Sequence, residues 1–206
     1  MSGIIAQNTL DGSGLIKSPE GGGVWNFIKK ITASGDSDIA FVDGADDVVL
    51  DSTYKEYVFI INNFNPDTSA GYDLRVNFSI DGGSNYNVTK TTTAARAYHW
   101  EDDSNSTLQY SSGEDLAQST GNQTITGNVG YSGGDESASA IMHLFDPSNT
   151  TFVKHFISTS NRCSGEPVSG QVFIGGYANT TSAIDAIQFN AAAAFSAAIN
   201  MYGIST

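Results

Sequence analysis

Residues 51–86, DSTYKEYVFIINNFNPDTSAGYDLRVNFSIDGGSNY, decide the fold class of this chain. Tyr72, Leu74, Val76, Phe78 and Ile80 alternate with Asp73, Arg75, Asn77 and Ser79. Successive side chains of a pleated strand point to opposite faces, so this spacing predicts a strand with one apolar and one polar face. Asp81-Gly82-Gly83 then supplies residues that tolerate the positive φ of a tight reversal. Upstream, Tyr57, Phe59 and Ile61 share one face of a second strand, and Val58 and Ile60 share the other. Apolar residues on both faces predict a central position in a sheet.

Working outward, the same reasoning predicts strands near 24–33, 38–43, 47–50, 55–63, 72–80, 86–99, 107–110, 122–130, 137–145, 151–158, 170–178, 183–190 and 195–204. At the C-terminal end, Phe195, Ala197, Ile199 and Met201 alternate with Ser196, Ala198, Asn200 and Tyr202. The alanines at 191–194 favour a helix. Asn200, Tyr202 and Gly203 continue poorly as one, so a core strand is the reading adopted. Many strands with turn punctuation, and scarce helix signals, imply two packed antiparallel sheets. The predicted class is all-β, an antiparallel β-sandwich over 24–206 preceded by an extended N-terminal arm over 1–23.

The pattern DSTYxEYxFxxxNxxPxTxxxxxLxxxxSxDGGSxY resembles one found in many tailed-bacteriophage virion proteins, those of marine phages especially. Neighbouring segments are similar to the same family: Trp25-Asn26-Phe27-Ile28-Lys29-Lys30, Phe41-Val42-Asp43-Gly44-Ala45-Asp46-Asp47-Val48-Val49-Leu50, Phe152-Val153-Lys154-His155-Phe156 and the ending Met201-Tyr202-Gly203-Ile204. The opening run Gly3-Ile4-Ile5-Ala6-Gln7-Asn8-Thr9-Leu10 also resembles it. The likeness covers both ends and residues 24–86, and fades over residues 100–140. It implies a jelly-roll-like domain of the virion, on the capsid surface or in tail fibres, and it brings no catalytic residues.

Composition narrows the partners. The chain has 206 residues, 22 acidic and 9 basic, for a net charge of −13. Phosphate backbones and anionic membranes are repelled by such a surface, so neither nucleic acid nor membrane is an expected partner. Acidity of this kind keeps crowded copies soluble. Cys163 is the sole cysteine, which rules out an intramolecular disulfide and a Cys-rich metal site. With no charged-then-apolar leader and no apolar run of about 20 residues, synthesis in the host cytoplasm and residence in the virion are expected.

A search for reactive chemistry returns little. His99, His143 and His155 are far apart, with no HxH or HExxH spacing. No GxSxG elbow accompanies the abundant serines. Asp43, Asp46, Asp47 and Asp51 cluster in one loop and its flanks, which leaves Ca²⁺ open, although the spacing is not that of an EF-hand. Trp25 and Trp100 read as core or sheet-edge aromatics. No catalytic residue, metal ligand or cofactor is predicted.

Two segments read as contact regions. Ile4, Ile5, Leu10, Leu15 and Ile16 punctuate the Gly-rich first 23 residues, as in an arm that packs along a neighbouring subunit or virion platform. Residues 101–137, rich in Ser, Asn, Gly and acids, read as an excursion from the framework. Beside it, Tyr98, Trp100 and Tyr110 are candidate ligand-contact residues. The expectation is a non-enzymatic virion structural protein, a capsid decoration or cement protein or a fibre component. It would contact other virion proteins and form a homo-oligomer, a trimer being favoured. The alternative is a receptor-binding fibre module that recognises host-surface glycans.

Overall fold

The computed structural model describes residues 24–68, 72–130, 134–164 and 167–205. Among them are ten strands and no helix: β1 (Val24–Val42), β2 (Glu56–Pro66), β3 (Arg75–Ser79), β4 (Lys90–Trp100), β5 (Ser106–Tyr110), β6 (Gln123–Thr124), β7 (Ala138–Phe145), β8 (Lys154–Ser164), β9 (Val168–Ala178) and β10 (Ala186–Ser205). They form one antiparallel sheet in the order β5-β4-β9-β8-β7-β2-β10-β3-β6, with β1 paired to β10, curled into a half-barrel. The expected arm, with Ile4, Ile5, Leu10, Leu15 and Ile16, lies outside the described residues.

The alternating stretches behave as their chemistry demands. β2 sits between β7 and β10, central as its two-sided apolar pattern predicts. Asn63 takes a positive φ of 52°, and the register with β7 slips between Ile61 and Phe64. This bulge resets the alternation, so Tyr57, Phe59, Ile61 and Phe64 all reach the concave interior. Phe59 packs with Phe41 and Phe189, Phe41 with Phe189, Phe64 with Phe195, and Phe78 with Phe156, at centroid distances of 5.2–6.3 Å. Rings in tilted or edge-on contact at these distances gain beyond simple area burial.

Several expected elements are corrected. The pair 24–33 and 38–43 is one continuous strand, as is the pair 183–190 and 195–204. Asp36 pairs with Phe195 and Asp38 with Asn190, so residues 191–194 are the excess length on β10 at a shared corner. The alanine run is a bulged bend in a strand, because small side chains let the ladder change direction there. β10 thereby serves both halves of the half-barrel, lying between β1 and β2 at its C-terminal end and between β1 and β3 at its start. Residues 47–50 form no strand; Asp46 and Asp47 adopt positive φ, and the chain turns to bury Val48 and Leu50. The strand expected over 122–130 shrinks to two residues.

β3 corrects a further expectation. Leu74, Val76 and Phe78 are buried as predicted, but Asn77 and Ser79 on the polar face are buried too. Residues 111–122 lie against the β3–β4 region. Lys90 and Ser119 exchange backbone hydrogen bonds of 2.8 and 3.0 Å, and the Thr92 amide donates to the Leu116 carbonyl at 2.9 Å. Gln123, fully buried, accepts from the Thr92 hydroxyl and donates to the Glu114 carbonyl. The predicted excursion is therefore partly a strap with a buried polar lining. Its polar composition reflects satisfied donors and acceptors as well as solvent exposure.

Candidate functional site

On β4, Arg96, Tyr98 and Trp100 alternate and share the concave face of the sheet. Cross-strand register sets Tyr98 opposite Gly170 of β9, and Gly170 opposite Arg162 of β8. A Cβ at Gly170 would lie 3.0 Å from Arg162 Nε and 3.2 Å from Cζ. The glycine thus leaves the space in which the Arg162 guanidinium lies across β9 toward β4. Gln109, opposite Arg96, and Asn105 join from β5 and the turn before it. Together with Val168 these residues line a cavity of about 240 Å³.

Arginine is concentrated at this cavity. Only three arginines occur in the sequence, and two of them line it. Arg96 is held by Glu114, through Nε at 3.0 Å and a second, shorter contact from its terminal nitrogen. Glu114 is buried, and its Oε2 has no hydrogen-bond partner. Arg162 donates to the Asn128 carbonyl. The Trp100 indole Nε1 is buried without a partner.

Of the three aromatic residues singled out in the sequence, Tyr98 and Trp100 come together here. Tyr110 does not: it pairs with Ala95, on the opposite face of the sheet, where its hydroxyl donates to Asp115. Arg96 was legible in the alternation of β4, two residues before Tyr98. Arg162 and Gln109 were not, because only strand register brings them to the site.

A larger cavity, about 540 Å³, lies elsewhere, lined by Phe145, Phe152, Val153 and His155 with Asp146, Asn149, Thr151 and Thr181. Asn149 and Lys55 donate to Asp146, at 2.8 and 3.1 Å, and hold its carboxyl below the usual range.

The histidines do not converge. His99 contacts Asp103 at 2.9 Å, His143 contacts Glu56 at 2.5 Å, and His155 lies 6.2 Å from the Tyr177 ring. In the acidic loop, Asp43 accepts from the Leu50 amide and Asp51 from the Thr53 amide, so both carboxylates stabilise turns. Among the described residues, no group of three or more His, Cys, Asp or Glu is placed to hold a metal ion. Cys163 is exposed; partial burial and the acids Glu101, Glu136 and Asp135 raise its thiol pKa, which lowers its reactivity.

The convex face carries a different feature. Tyr110, Ala95, Phe173, Thr159, Ile141 and Ile60 stand side by side in register from β5 to β2. The adjacent row contains Gly175, Ile157, His143, Val58, Tyr202 and Phe27, ending on β1. Tyr110 is 58% exposed, Ile157 49% and Phe27 59%. Trp25 and Phe27 pack on Tyr202 at 5.5 and 5.7 Å. No protein-family model, no curated protein and no solved structure matches the chain.

Proposed function

We propose that this chain is a non-catalytic structural protein of a bacteriophage virion. Its place is a capsid-surface decoration or cement protein, or a fibre component, and it acts as a homo-oligomer, a trimer, in contact with other virion proteins. The sequence pattern of residues 24–86 supports the assignment to virions. The observation that carries the mode of action is the convex face of the sheet. Its two apolar rows contain no carboxylate, in a chain with 22 acidic residues. Copies carrying −13 each repel one another at most approaches. Glu56 and Asp115, held by His143 and Tyr110, border these rows; along the rows themselves such copies meet at least cost, and exposed apolar side chains supply the attraction.

The finer architecture belongs to the same reading. The long, bent β1–β10 pair serves both halves of the curl, as the corner strands of a jelly roll do. The N-terminal segment with Ile4, Ile5, Leu10, Leu15 and Ile16 is the tether to the virion. Weak contacts of arm and sheet, repeated over many copies, add through multivalency.

The test is location and assembly together. Antibody labelling of intact particles should mark the virion surface, and the purified protein should sediment as a discrete oligomer. Label confined to the lysate, with no signal on particles, rejects the assignment.

A further inference from the structure

We propose that Lys90 and Asn77 form a covalent modification site, in which the lysine amine displaces the side-chain amide nitrogen of the asparagine to make an intramolecular isopeptide bond. The inference goes beyond the structural role and is independent of it, because it concerns the interior of a single copy.

Three observations converge. First, the two groups are in contact and set apart from water. Lys90 Nζ lies 2.6 Å from Asn77 Oδ1, and the residues are 0% and 1% exposed. Effective concentrations for well-oriented intramolecular reactions reach about 10⁵–10⁸ M, which lets an otherwise sluggish aminolysis proceed. Second, the asparagine is oriented for the displacement. Its Oδ1 accepts from the Phe78 amide at 2.9 Å, a donor placed where negative charge develops on that oxygen. Its Nδ2 donates to the Thr120 carbonyl at 3.1 Å and to Asn122 Oδ1 at 2.8 Å. Thr120, Gly121 and Asn122 are exposed, so the leaving nitrogen points to a turn that opens on solvent. Third, the acceptors of the amine are neutral, Asn77 and the Val88 carbonyl, and burial lowers its pKa to about 8. The neutral amine, the form with a lone pair to donate, is therefore populated near neutral pH. Lys154, also buried, donates to the Phe152 and Thr180 backbone carbonyls instead and serves as the comparison.

The step balances without a co-reactant. The Nζ lone pair forms the new bond to Asn77 Cγ. The Cγ–Nδ2 bond breaks with its electron pair on nitrogen, which takes the proton that Nζ gives up and leaves as ammonia. The hydrogen bonds of the two groups include no carboxylate to carry that proton. The bond therefore accumulates slowly on standing, and freshly purified chain carries the free amine. The product ties β3 to β4, which stand apart in the sheet order with β9, β8, β7, β2 and β10 between them. It fastens one limb of the half-barrel to the other.

The experiment incubates the whole folded chain at pH 7 and pH 9, follows its intact mass, then denatures it and digests it with trypsin. The bonded chain should be lighter by one ammonia. Trypsin does not cut after an acylated lysine, so a peptide spanning residues 76–96, also lighter by one ammonia, should replace the pair 76–90 and 91–96. Cleavage after Lys154 should be unchanged. The bond should form about tenfold faster at pH 9 than at pH 7, following the fraction of neutral amine. Asn77→Ala and Lys90→Arg should each keep full mass and full cleavage after residue 90. Should either variant fail to fold, wild-type chain unfolded in guanidinium chloride is the control, and it should yield no 76–96 peptide. Wild-type mass that stays whole at pH 9, ammonia loss with cleavage after Lys90 retained (the mark of a backbone succinimide), or equal bond formation in the unfolded chain overturns the proposal.

Discussion

Lys90 Nζ donates to Asn77 Oδ1 across 2.6 Å inside the sheet. Its second acceptor is the Val88 carbonyl at 2.7 Å, and the Phe78 ring lies 5.9 Å away. Both acceptors are neutral. The amine is fully buried, and that burial pushes its pKa down from 10.5 to about 8. Desolvation without a compensating carboxylate disfavours the charged form. Lys154 repeats the arrangement one strand beyond β9, donating to the Phe152 carbonyl at 2.7 Å, and both lysines lie in register with Ala178.

A pH dependence follows from Lys90. Between about pH 8 and 10.5 the unfolded chain holds a proton on this amine that the folded chain has released. Stability therefore rises with pH through that window, and the whole penalty is present below it. Tyr57, whose hydroxyl burial raises to about 12, opposes this above its ordinary value of 10, so the rise is cleanest from pH 8 to 10. Lys90→Met should be more stable relative to wild type at pH 7 than at pH 10, the advantage shrinking by about 2 kcal/mol. Urea unfolding of both proteins at pH 7, 8, 9 and 10 measures it. Parallel curves would assign the shift elsewhere.

Gly203 and Tyr54 offer a packing test. A Cβ at Gly203 would sit 2.1 Å from a Tyr54 ring carbon, closer than two non-bonded carbons can approach. Gly203 faces the interior between Met201 and Ser205, so the ring occupies the place of a side chain. Gly203→Ala should destabilise by about 1–3 kcal/mol through overpacking. Tyr54→Ala should cost something of its own through the space it leaves. The double variant should be more stable than the sum of the two costs implies, because the new methyl then fills part of that space. Thermal melts of the four proteins complete the cycle, and strict additivity would contradict the contact.

How far the sequence reveals this arrangement depends on what each residue signals locally. Alternation identifies β2, β3 and the C-terminal half of β10, since period two is a property of a single strand. Continuity of β1 and β10 escapes such reading. Ser34-Gly35-Asp36 has the composition of a turn, and only pairing with β10 makes it a bulge. The polar lining of β3 is equally hidden, because Asn77 looks the same whether water or Lys90 and Asn122 satisfy it. At the cavity, Tyr98 and Trp100 are legible from one strand. Arg162 depends on the register of β8, β9 and β4, which involves hydrogen bonds across residues far apart in the chain.

The Arg96–Glu114 pair should behave as a coupled unit. Glu114→Gln removes the charge that faces Arg96 and should cost about 1–3 kcal/mol, in the range of charge-assisted hydrogen bonds. Arg96→Met should cost at least as much, because it strands a carboxylate that is 8% exposed with one oxygen already unpartnered. Arg96→Met with Glu114→Leu should cost less than the sum, since no buried charge is left alone. A double-mutant cycle by chemical denaturation reads the coupling, and a value near zero would show that the pair is exchanged for water at no loss.

The convex face makes a prediction about symmetry. Its exposed apolar residues fall into two patches, one with Tyr110, Ile157 and Phe173 toward β5 and one with Trp25 and Phe27 toward β1. If one copy's first patch packs on the next copy's second, the contact is heterologous and closes into a ring, the geometry a trimer requires. Phe173→Lys disables the first patch and Phe27→Lys the second. Each variant alone should sediment as a monomer, because every contact then lacks one partner. Mixed in equal amounts, they keep one intact pairing, the first patch of the Phe27→Lys chain on the second patch of the Phe173→Lys chain. That pairing cannot propagate, so the mixture should stop at a dimer while the wild type forms the trimer. An isologous two-fold contact, in which each patch meets its own copy, predicts the reverse: each variant would dimerise alone through its remaining patch. Sedimentation velocity of the three samples distinguishes the two, and wild-type protein that stays monomeric at high concentration removes the convex face as an assembly surface.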